Sequence, residues 1–467
     1  MRRAAIPLVV LVAACLAAAA HGAARMWVGF TDDPKFRFDP DRSSVLEQAA
    51  ASHVTVIRTL VQWSKTAPDR PTDATDPFDP AYRFDDLDEL VRNAQSRGLE
   101  VEMAVWGTPA WANGGKSPQY APDDAADYQA FTQALATRYS GRFPGFPFVR
   151  FYGIWNESNL ATFLRPQFDE GGKIVGPGVY ARLAVAGLRG IKAGNRQALV
   201  AIGETSSNGR NKHVAGLTDT VAPGTFLELV AKAAPRLRFD AWAQHPYPFP
   251  VSQAPTQAVR WPNVGMASLG VLESALDRRF RPGIPVWITE YGNETQPGEP
   301  RGVTEAQQAA YLPQAIGIAR RDPRVQMFVW FVFRDSTGST WQSGLYRMDG
   351  TAKPAAARWA TAVAGLDMRN ESVTAPVGES RPSVTAYVRE FCKNNPIGAA
   401  VGTTTRVFLR GKLVGVTQAR LSLDVDCTVS VQLPVRIAKK ATYVATIDLN
   451  AAAGNTARRI VTVVSRP

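Results

Sequence analysis

Short apolar, β-branched runs alternate with stretches of helical periodicity over most of this chain. Such runs are typical of buried parallel strands. In order they are Met26–Phe30, Val54–Trp63, Leu99–Trp106, Val149–Trp155, Leu199–Gly203, Phe239–Ala243, Pro285–Thr289 and Val325–Phe333. Apolar residues recur on one helical face in five of the stretches between or after them, namely Phe84–Arg97, Tyr180–Lys192, Leu269–Leu276, Ala306–Ala319 and Ala355–Ala364.

This alternation between Met26 and Asp367 predicts the α/β class, as a (β/α)8 TIM barrel over residues 25–368. A doubly wound sheet is the alternative, but it normally carries a glycine-rich phosphate loop after its first strand. The sequence after Met26–Phe30 contains no such loop. The barrel is therefore favoured.

The pattern changes beyond Asn370, where helical periodicity gives way to the alternation of half-buried strands. The predicted strands are Val384–Phe391, Thr403–Leu409, Arg420–Val425, Val429–Val435, Val444–Leu449 and Arg459–Val464. Gly454-Asn455 between the last two is a hairpin signal. We expect a small all-β sandwich domain in residues 371–467.

Polar and aromatic side chains cluster where the barrel strands stop. In a (β/α)8 barrel these strand ends meet on one face, where active sites lie. The residues are Arg58, Trp63, Trp106, Trp111, Asn156, Glu157, Glu204, His245, Tyr247, Glu290 and Trp330. Glu157 and Glu290 each end an apolar run abruptly, and paired carboxylates are how glycosidic bonds are usually cut.

The first 24 residues have the features of an export signal, with Arg2 and Arg3 ahead of an apolar segment and small residues before Arg25. Val12-Ala-Ala-Cys15 also resembles a lipoprotein cleavage box, so a lipid anchor on Cys15 is an alternative. In an oxidising compartment Cys392 and Cys427 are expected to form a disulfide, the alternative being two buried thiols. No Cys/His motif suggests a metal, and no cofactor is expected.

The formal net charge is +12, and residues 371–467 hold 13 Lys/Arg against 6 Asp/Glu. A basic tail could associate with acidic polymers of a cell surface or cell wall, the alternative being scattered solvated charges. Export and the lack of a recognition motif argue against nucleic acid as a partner. The sequence gives no indication of oligomeric state.

Five features in this order resemble clan A glycoside hydrolases: Arg58, Trp155-Asn-Glu-Ser-Asn159, His245-Pro-Tyr247, Ile288-Thr-Glu-Tyr291 and Trp330. Within the clan, Trp106-Gly-Thr-Pro-Ala-Trp111 and Trp155-Asn-Glu-Ser-Asn-Leu160 are similar to family 39 more than family 5. Family 5 usually has a histidine after the third strand, which is absent here. The tail resembles bacterial Ig-like domains in Leu449-Asn-Ala-Ala-Ala-Gly-Asn-Thr456.

The resemblance implies a retaining glycoside hydrolase acting on an oligo- or polysaccharide. It implies that Glu157 is the acid/base and Glu290 the nucleophile, with Arg58 holding Glu290. Substrate contacts are expected from Asn156, His245, Tyr247, Trp330 and Trp106, with Trp330 as an apolar floor beneath the sugar. Two alternatives stay open: a non-catalytic polysaccharide-binding or adhesion protein on an inactive barrel, and a transglycosylase using the same residues.

Overall fold

The computed structural model describes residues 26–466 apart from 98, 144–145, 147, 338–340, 364–365, 367–371, 389–390, 392–394, 411, 425–427 and 452–455. The predicted export signal, Cys15, Cys392, Cys427 and the Gly454-Asn455 turn all lie outside the described residues. The export signal and the disulfide therefore stay predictions. Among the described helices, none combines the length and apolarity needed to cross a bilayer.

Eight parallel strands close into a barrel, in which each strand pairs with the next along the chain and the eighth pairs with the first. The predicted fold class is thus confirmed. The strands are β1 (Trp27–Thr31), β2 (Val56–Gln62), β3 (Glu100–Trp106), β4 (Phe151–Ile154), β5 (Leu199–Thr205), β6 (Ala241–Gln244), β7 (Val286–Tyr291) and β8 (Val325–Phe331).

The barrel strands are surrounded by helices that bury an apolar face against them. They are α1 (Asp33–Phe36), α2 (Arg42–Ala51), α3 (Trp63–Thr66), α4 (Asp85–Gln95), α5 (Ala125–Arg138), α6 (Gly176–Gly194), α7 (Pro223–Ala233), α8 (Leu269–Arg279), α9 (Glu305–Arg321) and α10 (Pro354–Val363). The five stretches of helical periodicity correspond to α4, α6, α8, α9 and α10. The remaining helices were not predicted individually.

Alternate residues of each barrel strand point inward, and the lower part of the interior is filled by aromatic side chains. Trp27 and Trp287 each make an edge-to-face contact with Phe151, at centroid distances of 5.2 and 5.3 Å. Arg58 lies one inward position beyond Val56 in β2, Glu102 pairs with it in register on β3, and both are fully buried. The aromatic layer therefore closes the barrel beneath a layer of charged side chains.

The C-terminal segment forms two sheets around one core, which confirms the predicted all-β sandwich. The strands are β9 (Ser372–Pro376), β10 (Ser383–Tyr387), β11 (Ala400–Leu409), β12 (Lys412–Ser422), β13 (Thr428–Gln432), β14 (Thr442–Ala451) and β15 (Thr456–Arg466). One sheet has the order β12-β11-β14-β15-β9, and the other pairs β10 with β13. The sequence did not predict β9. This strand pairs parallel to β15, which is distant in sequence, so no local hairpin signal marks it.

Candidate active site

Glu157 lies just beyond the end of β4, in a turn with unusual backbone conformation. Trp155 and Glu157 both have positive φ angles, 69° and 35°. Such angles are costly for residues other than glycine, and they persist where surrounding contacts enforce them. Asn159 supplies such contacts, because its side chain accepts from Ser206 N at 2.8 Å and donates to Val221 O at 2.8 Å. The turn is thereby tied to the loop that follows β5.

Glu290 lies in β7, where the pairing with β8 shifts register between Ile288 and Tyr291. Its two carboxylate oxygens have different donors. Arg58 Nη1 donates to Oε1 at 2.6 Å, and the Tyr247 hydroxyl donates to Oε2 at 3.0 Å. The structure therefore brings together Arg58, Tyr247 and Glu290, as the sequence predicted.

His245 follows β6 and lies between the two carboxylates. Its Nδ1 is 3.2 Å from Glu157 Oε1 and 3.5 Å from Glu290 Oε2, and its Nε2 is 3.0 Å from Glu204 Oε2. Oxygens of Glu157 and Glu290 lie within 4.8 Å of each other. This spacing is close to the roughly 5–5.5 Å carboxyl separation of retaining glycosidases and shorter than that of inverting ones.

The electrostatic environment differs between the carboxyl groups. Burial raises the pKa of Glu157, and the nearby Glu290 adds to the effect, while His245 opposes it. Burial alone would lower the pKa of His245, but the surrounding carboxylates, Glu290 first, raise it to about 10. Burial and the negative charge of Glu290 raise the pKa of Tyr247, so its hydroxyl stays protonated and able to donate.

Asn156 is held in a defined orientation by the same arginine that contacts Glu290. Its Oδ1 accepts from Arg58 Nη2 at 2.9 Å, and its side chain is almost fully buried. With the oxygen engaged in this way, the amide Nδ2 is the group left to donate to a ligand. The structure thus fixes the orientation of Asn156, and its contact with a sugar hydroxyl stays a prediction.

Trp330 does not reach this site, which corrects its prediction as the floor beneath the sugar. Its side chain is fully buried in the core that includes the surrounding helices, and its Nε1 donates to Ser343 O. In β8, Met327 and Val329 point into the barrel, so the next inward residue is Phe331. Phe331 is half-buried and contacts Tyr247 and Trp341 edge-to-face.

Trp106 ends β3 on the inward side and packs edge-to-face against Phe163 at 5.2 Å. It borders a cavity of about 490 Å³ that is also lined by Gln62 at the end of β2, Lys65 in α3, Arg37 after α1 and other residues. Trp106 therefore lies at the C-terminal end of the barrel strands, where active sites are found, and borders a cavity.

The structure shows the partners of Glu204 and adds Glu102 and Thr289 beside it. Glu204, which the sequence placed at a strand end, has a φ of 45° beside a register shift in β5, and it pairs with Arg58 and contacts His245. Glu102 is paired in register with Arg58 on the neighbouring strand. The sequence did contain a signal for Glu102, because it is a charged residue inside the apolar run of β3. Its partner Arg58 is likewise a charged residue inside the apolar run of β2.

Replacing Arg58 with methionine should destabilise the barrel by about 3–5 kcal/mol, because it leaves buried carboxylates without their cation. Urea unfolding followed by tryptophan fluorescence measures the loss. Arg70→Met is the matched control, since Arg70 pairs with Asp127 at the surface and such pairs contribute about 0–1 kcal/mol. Equal stability of the two variants would contradict the importance given to the Arg58 network.

Among solved structures, the chain is similar to a family 39 glycoside hydrolase from Bacteroides cellulosilyticus WH2, with 17% identity and a TM-score of 0.55 over 88% of this chain and 81% of that one. A GH5_18 protein from Streptomyces cattleya in complex with GlcNAc gives 18% identity and a TM-score of 0.53, covering 76% of this chain and 85% of that one. A GH5_18 protein from Bifidobacterium longum gives 15% identity and a TM-score of 0.50 over 76% and 84%. These likenesses concern the fold.

Comparison with curated protein sequences found no match. The family model described as cellulase (glycosyl hydrolase family 5) matches residues 24–332, which is most of the chain and nearly all of the barrel. The motifs Trp106–Trp111 and Trp155–Leu160, and the missing histidine after the third strand, had favoured family 39, whereas the family match assigns family 5. The barrel, its two carboxylates and the family match agree: the chain belongs to glycosyl hydrolase family 5, a family of clan A glycoside hydrolases.

Proposed function

We propose that this protein hydrolyses O-glycosidic bonds of an oligo- or polysaccharide with retention of anomeric configuration. The observation that carries the proposal is the short distance between the carboxylates of Glu157 and Glu290, whose oxygens lie within 4.8 Å. This spacing leaves no room for a water molecule between the sugar and the second carboxylate, as inversion would require. It supports direct attack by a carboxylate on the anomeric carbon.

Glu290 is proposed as the nucleophile. Arg58 and Tyr247 each donate to one of its oxygens and so favour the ionised carboxylate and fix its direction. Attack on the anomeric carbon forms the glycosyl-enzyme ester and breaks the bond to the leaving-group oxygen. The ester oxygen no longer carries a charge.

Glu157 is proposed as the general acid and then the general base. Its raised pKa keeps the carboxyl protonated for transfer to the leaving group. Loss of the charge on Glu290 in the intermediate lowers the pKa of Glu157, which then accepts a proton from the incoming water. Because its pKa is raised to about 10, His245 carries a proton on each nitrogen, so Nδ1 donates to Oε1 of Glu157 and directs the acidic proton to the other oxygen.

Asn156 and an aromatic surface are proposed to hold the sugar. The Nδ2 group of Asn156 donates to a ring hydroxyl, a contact that strengthens as positive charge develops in the transition state. Tyr247, Phe331 and Trp341 contact one another and form the apolar surface on which a pyranose face can pack.

Phe331→Ala should raise KM and lower kcat/KM by about 2- to 10-fold, the size expected for one aromatic contact. Steady-state kinetics on the best substrate measure the change. Trp330→Phe is the matched control on the opposite face of β8, and it should alter stability more than KM. A larger rise in KM for Trp330→Phe than for Phe331→Ala would reverse the assignment.

Activity should fall at alkaline pH because Glu157 loses its proton. Because the acid must be protonated and its pKa is raised, kcat/KM should fall as the pH rises through that pKa. The measurement is kcat/KM against pH on a substrate with a poor leaving group. On an activated aryl glycoside, Glu157→Gln should no longer show this alkaline fall. An unchanged fall in the variant would assign it to another group.

Release of reducing sugar from a panel of aryl glycosides and of plant, fungal and bacterial polysaccharides tests the proposed function directly. The panel includes β-linked glucans, and also mannosyl-GlcNAc, because a related GH5_18 structure holds Manβ1-4GlcNAc. Release by the wild-type protein that is absent in Glu290→Gln supports the proposal. Binding of a polysaccharide without release, equal in both proteins, would favour the adhesion alternative.

We further propose that the protein is exported and that residues 371–467 hold it near an acidic surface polymer. The support is the N-terminal signal pattern and the excess of 13 Lys/Arg over 6 Asp/Glu in the tail. Fractionation of the producing cell and sedimentation with isolated cell walls at low and high salt test both points. Retention in the cytoplasm, or sedimentation unaffected by salt, would contradict them.

A further inference from the structure

Two buried carboxyl groups meet beneath the proposed catalytic pair. A methyl group placed on Gly153 would lie 2.4 Å from Glu204 Oε1 and 2.7 Å from Glu102 Oε1. The two oxygens therefore border the same small space above Gly153, which only a residue without a side chain leaves open. Glu102 comes from β3 and Glu204 from β5, on either side of β4.

The two oxygens of Glu204 have different surroundings. Its Oε2 lies 3.0 Å from each of three donors, Arg58 Nη2, His245 Nε2 and Thr289 Oγ1. Its Oε1, by contrast, has no hydrogen-bond partner among the described atoms and borders the same space above Gly153 as Glu102 Oε1. An ionised Glu204 thus has one saturated oxygen and one oxygen that needs a donor.

Glu102 also lacks hydrogen-bond partners for its carboxyl group. Neither of its oxygens makes a hydrogen bond to any described group, and its Oε2 is 3.1 Å from Arg58 Nε without the alignment of a hydrogen bond. Both glutamates are fully buried. An ionised carboxylate in such a place would lack the hydrogen bonds that offset the cost of burying charge.

We propose that Glu102 is a carboxylic acid whose Oε1–H donates to Oε1 of ionised Glu204, and that this pair positions Arg58 and His245 under the catalytic carboxylates. The pair shares one proton, which stays on Glu102. Glu204 then accepts hydrogen bonds on both oxygens and holds the guanidinium of Arg58 and the imidazolium of His245 in place. Glu102 and Glu204 are positioning residues, since neither would touch the substrate.

Charge balance supports the assignment. The groups that face Glu102 are Arg58, Glu204, His245 and Glu290. With Arg58 and His245 as cations, Glu204 and Glu290 as anions, and Glu102 and Glu157 protonated, this buried cluster has no net charge. Ionisation of Glu102 as a third carboxylate would leave one uncompensated negative charge above the aromatic layer of Trp27, Phe151 and Trp287.

The titration behaviour agrees with the geometry. Burial raises the pKa of Glu102 well above its ordinary value, and Arg58 does not offset the effect. For Glu204, burial acts in the same direction, but Arg58, His245 and Thr289 outweigh it and lower the pKa. The proton of the pair therefore belongs to Glu102.

Infrared spectroscopy of protein labelled with carboxyl-13C glutamate tests the protonation without relying on turnover. We expect Glu157→Gln protein at pH about 8.5, far above the ordinary glutamate pKa, to retain the carbonyl stretch of one protonated glutamic acid. Glu273 and Glu294 have pKa values raised to about 7 and are mostly ionised at this pH. The stretch should vanish in Glu157→Gln/Glu102→Gln. Absence of the stretch in the single variant overturns the proposal.

The kinetic test rests on the proposed function and uses Glu102→Gln, which keeps a donor for Glu204 and carries no charge. We expect kcat/KM within about threefold of wild type and an alkaline limb displaced by less than about 0.3 pH unit. Glu102→Met, which has no donor, should lose at least about tenfold in kcat/KM. An alkaline limb moved down by about a unit in Glu102→Gln would show that an ionised Glu102 had been raising the pKa of Glu157, and would overturn the assignment.

Discussion

Glu290→Gln should lose at least about 10⁴-fold in kcat on every substrate, whatever its leaving group, because removal of one member of a catalytic group typically costs this much. Glutamine keeps the shape of the side chain but has no negative charge with which to attack the anomeric carbon. Its amide nitrogen would also face Arg58 or Tyr247, both of which donate to the carboxylate. The measurement is kcat for aryl glycosides of graded leaving-group ability.

Glu170→Gln is the matched control for this variant, since Glu170 is exposed in the loop after β4 and the same charge is removed. It should leave kcat unchanged. A second check uses an activated 2-deoxy-2-fluoro glycoside of the preferred sugar, which should release its leaving group and add the mass of the fluoroglycosyl group to Glu290 of the wild-type protein. Turnover by Glu290→Gln at more than about a tenth of the wild-type rate would remove Glu290 from the proposed role.

Glu157→Gln should lose about 10²- to 10⁴-fold in kcat on substrates with poor leaving groups, the range that general acid catalysis contributes. On activated aryl glycosides the first step should stay fast, because a good leaving group needs no proton. The glycosyl-enzyme should then accumulate, since no base activates the water. A burst of released phenol followed by slow turnover is the expected kinetic signature.

Azide separates this explanation from a general loss of structure in Glu157→Gln. As a nucleophile that requires no deprotonation, azide should restore turnover of activated substrates in the variant and yield the glycosyl azide with retained configuration. It should have no such effect on Glu290→Gln, which forms no intermediate. An inverted glycosyl azide from Glu157→Gln would contradict the proposed order of roles.

Transglycosylation uses the same two carboxylates and differs only in the acceptor that reaches the intermediate. The loops that border the site are therefore the elements on which this difference depends. Product analysis at high substrate concentration distinguishes the two outcomes: longer oligosaccharides indicate a sugar acceptor, and monomer or short products indicate water.

The sequence predicted those residues of the candidate site that directly follow a strand-like apolar run. Glu157, Glu290, His245 and Tyr247 each follow an apolar run, and parallel strands in a barrel bring such positions to one face. Their mutual distances could not be predicted. The positive φ of Glu157 and the register shift in β7 decide where these carboxylates point, and both depend on contacts with neighbouring strands.

Trp330 shows why a strand-end aromatic residue is not by itself a site residue. Side chains alternate across a strand, so a one-residue error exchanges the helix-facing surface for the barrel interior. Counting from Met327 and Val329 would have selected Phe331. Towards the end of β8 both faces are apolar, with Phe328 and Trp330 on one and Met327 and Val329 on the other, and the sequence did not show which of them was inward.

By itself the sequence determined the class of fold, the order of the barrel and the sandwich, and that Glu157, Glu290, Arg58 and His245 come to one end of the barrel. These follow from local hydrophobic periodicity and from the rule that parallel strands share an end. The tertiary structure alone decided which face of β8 is inward, that β9 joins β15, and that Glu102 meets Glu204 above Gly153. Each of these three arrangements involves side chains or strands that are far apart in sequence and share the same buried space. Close packing in the folded protein therefore determines them, and the local sequence pattern does not.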